Sequence, residues 1–246
     1  MVQRGFFDVD ERLAALSAAG DPLERLSAVV DFELFRPVLH AALSRSDRSR
    51  GGRPPYDAVL MLKALVLQAL YNLLDDACEF QIRDRLSFMR FLGLGLGDRV
   101  PDARTIWLLR EQLVQARAIE KLFACFDDAR HGAGYLAMGG RIIDATVVAA
   151  PRQKLSDEDR AAIRGGGTPG HWSPAKCRRK DTDARWTIKR GRRKRSEASE
   201  MKTKGVEIAV PIFGYKNHAG IDRRHGLIRR WSLTSAAAHD SRVVFT

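Results

Sequence analysis

Gly139-Gly140-Arg141-Ile142-Ile143-Asp144-Ala145-Thr146-Val147-Val148-Ala149-Ala150-Pro151 is the stretch on which the reading of this chain turns. Two glycines open it and Pro151 closes it. Between them the β-branched residues Ile142, Ile143, Thr146, Val147 and Val148 read as a short strand. Before it, the pattern is helical. Asp21-Pro22-Leu23-Glu24 is a capping box with proline at the first helical position, turning Leu23, Leu26 and Val30 inward. Asp57 can cap an apolar helix over 58–74, and amphipathic helices are expected over 76–86, 103–115 and 118–129. Gly93-Leu94-Gly95-Leu96-Gly97 follows a helix and reads as a connector.

After Pro151 the chain changes again. Strands are expected over 206–214, 215–221 and 227–233, with turns at Gly214 and at 224–226, forming an antiparallel meander. Between the first strand and the meander, Gly165-Gly166-Gly167, Pro169-Gly170 and Pro174 interrupt any helix, so 151–204 is expected to be an irregular, disordered insertion. The fold class is therefore α+β: an all-helical domain over 1–135, then a sheet domain over 136–246 broken by the insertion 151–204.

Charge follows the same division. The chain carries +12, yet residues 1–115 net −1, while 151–204 holds 17 basic against seven acidic groups. A polyanion is the partner this implies. Arg178-Arg179-Lys180 and Lys189-Arg190-Gly191-Arg192-Arg193-Lys194-Arg195, with Trp172 and Trp186 nearby, fit phosphate contact better than solvated charge alone. An apolar content of 45% argues against wholesale disorder, and 20 Gly and nine Pro exclude collagen-like sequence. Cys78, Cys125 and Cys177 are too scattered for a metal motif and fit a reducing cytosol. Asp8, Asp10 and Glu11 leave no room for a signal peptide, and Lys63, Gln68 and Asn72 interrupt the best apolar run. The expectation is a cytoplasmic protein with no membrane partner.

Asp144 is the first candidate for chemistry. It is either a desolvated carboxylate that calls for a metal or cation, or an outward-facing side chain on a half-exposed strand. Spacing alone does not separate the two. Lys216 and His218 in Tyr215-Lys216-Asn217-His218, and His239 and Asp240 in His239-Asp240-Ser241, are candidate neighbours of an active site. Asp240 is more simply a helix N-cap. There is no G-x-S-x-G, no phosphate-binding G-x-x-x-x-G-K-[ST] and no zinc spacing.

Several segments, taken in order, resemble one family. They are Gly52-Arg53-Pro54-Pro55-Tyr56, Tyr71-Asn72-Leu73, Arg85-Leu86-Ser87-Phe88-Met89-Arg90-Phe91-Leu92-Gly93-Leu94 and Val100-Pro101-Asp102-Ala103-Arg104-Thr105-Ile106-Trp107. Ile143-Asp144-Ala145-Thr146-Val147, Gly214-Tyr215-Lys216-Asn217-His218 and the stretch 235–241 follow. The chain resembles bacterial insertion-sequence transposases of the DDE class, in the InsH-like group (insertion-sequence family five). The resemblance implies a ribonuclease-H-like catalytic sheet, a nucleoid-associated enzyme and two divalent ions, Mg2+ or Mn2+. Its implied partners are double-stranded DNA at terminal inverted repeats and further copies of the chain when ends synapse. It places Asp144 on the family's first catalytic carboxylate, a metal ligand, and puts the strand that bears it at the sheet centre, between the meander and strands not among these residues, so that its other edge is expected to be unpaired here. Asp240 belongs to the element before the second carboxylate and is not itself that residue. The second Asp and the later Glu are not among these 246 residues, so an incomplete or frameshift-dependent copy is expected, inactive alone. Two other readings stand beside it: a non-catalytic DNA-binding regulator, and a basic RNA-binding protein, the latter lacking recognisable RNA-binding patterns.

Overall fold

The computed structural model describes residues 7–43, 54–135, 141–192 and 207–240. The chain divides between Gly134 and Tyr135 into two compact units. The first holds α1 (Asp8–Ala18), α2 (Pro22–Val29), a 3-10 turn (Phe32–Phe35), α3 (Arg36–Ala42), α4 (Ala58–Tyr71), α5 (Asp75–Asp84), α6 (Leu86–Leu92), α7 (Ala103–Gln115) and α8 (Ala118–Gly132). The start signals act as their chemistry requires. The carboxylate of Asp21 accepts from the Leu23 N–H at 2.9 Å, Asp57 from Val59 and Leu60 at 2.9 and 3.1 Å, and Asp102 from Thr105 at 2.7 Å. Helix α4 stops at Tyr71, short of the expected 74, because Asn72 turns left-handed at φ 50°. The expected helix over 76–86 is α5, and Arg85 separates it from α6. Pattern reading passed over α1, the 3-10 turn and α3.

Leu39, Leu67, Ile82, Phe88, Ile106 and Leu113 are fully buried at the centre of this unit. Polar ties cross it. Arg90 on α6 binds Asp21 at 2.7 Å and Ser17 Oγ at 2.8 Å, joining α6 to the ends of α1 and α2. The Tyr56 hydroxyl donates to the Val100 carbonyl at 2.9 Å, and the Arg85 guanidinium lies 5.9 Å from the Tyr71 ring and 5.2 Å from Phe88. The segments that carry the family resemblance thus hold one another in place. Among the described residues no single helix is long and apolar enough to cross a membrane.

The second unit holds β1 (Arg141–Ala149), α9 (Asp157–Arg164), α10 (Pro174–Arg179), β2 (Arg185–Arg192), β3 (Glu207–Asp222) and β4 (Ile228–Ser235). The strand order is β1-β3-β2, with β4 also on β3, and every pairing is antiparallel. Helices followed by an antiparallel sheet make the fold α+β. Two expectations need correction. The first concerns Gly214, which is no turn: β3 is a single strand of 16 residues running straight through it. A Cβ at Gly214 would fall on the Val148 carbonyl oxygen and within 3.0 Å of Ala149 Cα. The glycine is there because the β1 backbone passes too close for any side chain.

The second correction concerns the insertion, which is ordered over its described part, 151–192. Its glycines and prolines punctuate helices instead of preventing them. Helix α9 starts on Ser156, whose Oγ accepts from the Asp159 N–H at 3.1 Å. It ends in a Schellman motif: Gly166 at φ 82° donates to Ile163 O, and Gly167 donates to Ala162 O. Pro174 opens α10 behind the Ser173 cap. Ile163, Trp172 and Ala184 are buried, and the Trp172 indole N–H donates to buried Asp159 at 2.9 Å. The basic run then enters the sheet as β2. Residues 193–204 of the expected insertion lie outside the described residues.

Candidate nucleic-acid interface

Residues paired across an antiparallel ladder share a face. Asp144 stands opposite Ala219, which stands opposite Trp231; Thr146 faces Asn217 and Leu233, and Val148 faces Tyr215. Ile142, Asp144, Thr146 and Val148 are all exposed. One carboxylate oxygen of Asp144 accepts from the Ala145 N–H at 2.9 Å. Of the two sequence readings of Asp144, the structure has the outward-facing one. Among the described strands β1 pairs only with β3, so it stands at one end of the strand order; the resemblance sets the meander on that one side of β1 and places its other neighbours outside these residues.

Lys216 and His218 fall on the opposite face, across from Val147 and Ala145. Lys216 Nζ donates to the Ala238 carbonyl at 2.7 Å and pairs with Asp240 at 2.8 Å. That hydrogen bond, with the charges of Lys216, His218 and His239, holds the Asp240 carboxyl below its usual range. His218 is fully buried, with Nε2 2.9 Å from Thr234 Oγ1. The fold therefore gathers Lys216, His218 and Asp240, with His239 beside them, and keeps them across the sheet from Asp144. The helix expected to follow Asp240 lies outside the described residues.

The basic candidates are spread over two elements. Arg178 and Arg179 are exposed on α10, their guanidinium Nε atoms turned back to the Pro174 and Ala175 carbonyls at 3.5 and 3.2 Å. Lys180 is half-buried behind them, and Lys189 is exposed on β2. Arg190 and Arg192 lie on β2, and Arg193, Lys194 and Arg195 lie outside the described residues.

Sequence reasoning missed two polar constellations. Asp222 is fully buried between β3 and β4, with His225 Nδ1 at 2.7 Å and Arg229 at 3.1 Å, while the Arg224 and His225 N–H groups donate to its carboxylate. Burial alone would raise its pKa; those bonds outweigh burial and hold it well below the ordinary carboxylate range. This is a hairpin staple. The other is a cleft of about 520 Å³ lined by Arg152, Arg160, Arg164, Arg185, Trp186 and Phe213. Its lining runs from Arg152 to Ala237 along the chain, so only the Arg-rich composition of 152–185 could have signalled it.

Two-ion phosphoryl transfer needs several oxygen donors around ions about 3.5–4 Å apart. Among the described residues no three His, Cys, Asp or Glu side chains come together, and the residues that flank Asp144 on its face are Ile142, Thr146 and Ala219. This donor set does not fit the two-ion centre that the resemblance implies. Residues 11–112 match the family model of a transposase domain, DUF772. No solved structure matches the chain. The transposase-domain match lies wholly in the helical unit and supports a transposase function and an origin in a mobile element. Tyr56, Tyr71, Arg85, Arg90 and Val100, whose contacts tie the helices together, all fall inside it.

Proposed function

We propose that this chain is an insertion-sequence transposase of the DDE class, in the InsH-like group, that binds double-stranded DNA at terminal inverted repeats. The observation that carries the reading is the transposase-domain match over residues 11–112. In this reading the helices read sequence, and 151–204, with its net +10, supplies affinity for phosphate whatever the sequence. The sheet is ribonuclease-H-like, Asp144 is its first carboxylate, and copies of the chain associate when two ends are joined. Mg2+ or Mn2+ is the ion such chemistry uses. Asp144 alone does not make a site for it, and no step is assigned to it.

Duplex binding across a salt titration tests the reading. Substituting Arg190, Arg192, Arg193 and Arg195 by Ala should weaken binding to any duplex and make its salt dependence shallower by about 0.9 per lost phosphate contact. An unchanged slope would defeat the assignment of that run. At Asp144, a carboxylate beside DNA repels phosphate. Asp144→Asn should therefore tighten duplex binding several-fold without divalent ions, and equal affinity would remove Asp144 from the interface.

A second reading, a DNA-binding regulator derived from a transposase, is favoured by the absence of a second acid beside Asp144 among the described residues. Supercoiled DNA with Mg2+ or Mn2+ separates the two. Nicking that Asp144→Asn abolishes supports the enzyme; binding without nicking supports the regulator.

A further inference from the structure

The cleft between the insertion and the sheet has a composition that the duplex-binding reading does not use. Of its four arginines, Arg185 is committed to structure, donating to the Thr182, Ala184 and Ile163 carbonyls at 2.6, 3.0 and 3.0 Å. Arg160 pairs with Asp157 at 2.7 Å, but both side chains are more than half exposed, so water screens the pair. Arg164 meets no carboxylate among the described residues. The acid in the lining, Asp181, is already engaged: it accepts from the Tyr215 hydroxyl at 2.6 Å and from the Asp183 and Ala184 N–H groups at 2.9 Å. All three bonds fall on one oxygen of Asp181, Oδ1, and with four arginines against this one carboxylate the recess is cationic on balance.

Its aromatic side is open. Trp186 is 52% exposed, with the Phe213 ring 5.5 Å away and the Arg152 guanidinium 5.2 Å from its centroid. A guanidinium over an indole is a flat, charged stacking surface. A paired base cannot use it, because a duplex shows phosphates and groove edges outward and keeps its base faces stacked inside. A base turned out of the helix can.

Position agrees with composition. Trp186 pairs with Phe213, and Phe213, Tyr215, Asn217 and Ala219 alternate along one side of β3, the side that Asp144 shares. From Phe213 to Ala219, the partner of Asp144, is six residues, roughly 20 Å of strand. A DNA strand laid along the Asp144 face leads to this recess.

We infer that the cleft holds one unpaired nucleotide of a DNA strand, its base on the Arg152–Trp186 layer and its phosphate on Arg160 and Arg164. The inference rests on the DNA-acting reading above and names the form of DNA that the sheet unit takes. The test uses the full chain and three probes: a blunt duplex, the same duplex with a short single-stranded overhang, and the overhang strand alone, in DNA and in RNA. Wild type should bind the overhang duplex about tenfold more tightly than the blunt one. Trp186→Ala should bring that ratio near one, Arg152→Gln should lower it, and Trp186→Phe, which keeps a ring, should retain most of it. Equal wild-type affinity for blunt and overhang duplexes overturns the inference. So does a ratio that Trp186→Ala leaves intact, or a preference for the RNA strand over the DNA strand. A chain that binds no blunt duplex but still binds the single DNA strand through Trp186 would defeat the duplex-binding function and leave the cleft's assignment standing.

Discussion

Asp222 stands where three elements of local chemistry meet: the hairpin turn supplies two N–H donors, His225 folds back, and Arg229 arrives from a bulge in β4. Arg229 also donates to the Tyr135 carbonyl at 2.6 Å, so the carboxylate anchors the start of the unit as well as its hairpin. Because Asp222 has its pKa lowered on folding, the unfolded chain takes up a proton there first as acid is added. Its contribution to stability is full above the ordinary carboxylate pKa of about 3.9 and is lost as pH falls through the depressed value. Acid unfolding of the sheet unit, followed by near-ultraviolet circular dichroism between about pH 5 and pH 2, should be blunted in Asp222→Asn, whose stability at neutral pH is already lower. Equal acid sensitivity of the two proteins would exclude Asp222 as the cause. Little of this could be read from sequence. Asp144 is conspicuous because a charge interrupts a β-branched run, and Asp222 is not, because its partners converge only after the turn has formed.

At the scale of elements, glycine is the residue whose meaning the sequence leaves most open. Gly165, Gly166 and Gly167 read as a break and serve as the end of α9; Gly214 reads as a turn and serves as a gap for a neighbouring backbone. A left-handed helix end, a turn and a close approach all call for the same missing Cβ, and only the partner strand decides among them. Caps are different. Asp21, Asp57 and Asp102 each act on an N–H two or three residues along, so their role is local and legible. Gly214→Ala should force β1 away from β3, at a cost of at least about 2 kcal/mol. A thermal melt would show it as a lowered midpoint, and a melt superimposable on wild type would mean that the ladder gives way freely at Val148. The basic insertion reads as irregular for the same reason: its order rests on Trp172 and Asp159, thirteen residues apart and meaningless until they meet.

Over the whole molecule, burial is unevenly shared. Of the buried apolar residues described, only Ile163, Pro169, Trp172, Ala184 and Ala236 belong to the sheet unit. Ile142, Val148, Trp186, Ile188 and Leu233 stay exposed on its strands. Local opening is governed by such differences, so amide exchange should be slowest in α4, α6 and α7 and distinctly faster across β1 and β4. Comparable protection in all of them would show that the sheet is stabilised by more than its described contacts. Strand β3 gives the unit one more property. Its first half, through Gly214, carries β2 and with it the arginine-lined insertion, while its second half, from Gly214 on, carries β1 with Asp144 and β4. The two halves can vary separately. The arginine-lined part is a cassette mounted on a shared rail, open to lengthening, shortening or exchange over evolutionary time, while the acid-bearing ladder beyond the glycine keeps its registration.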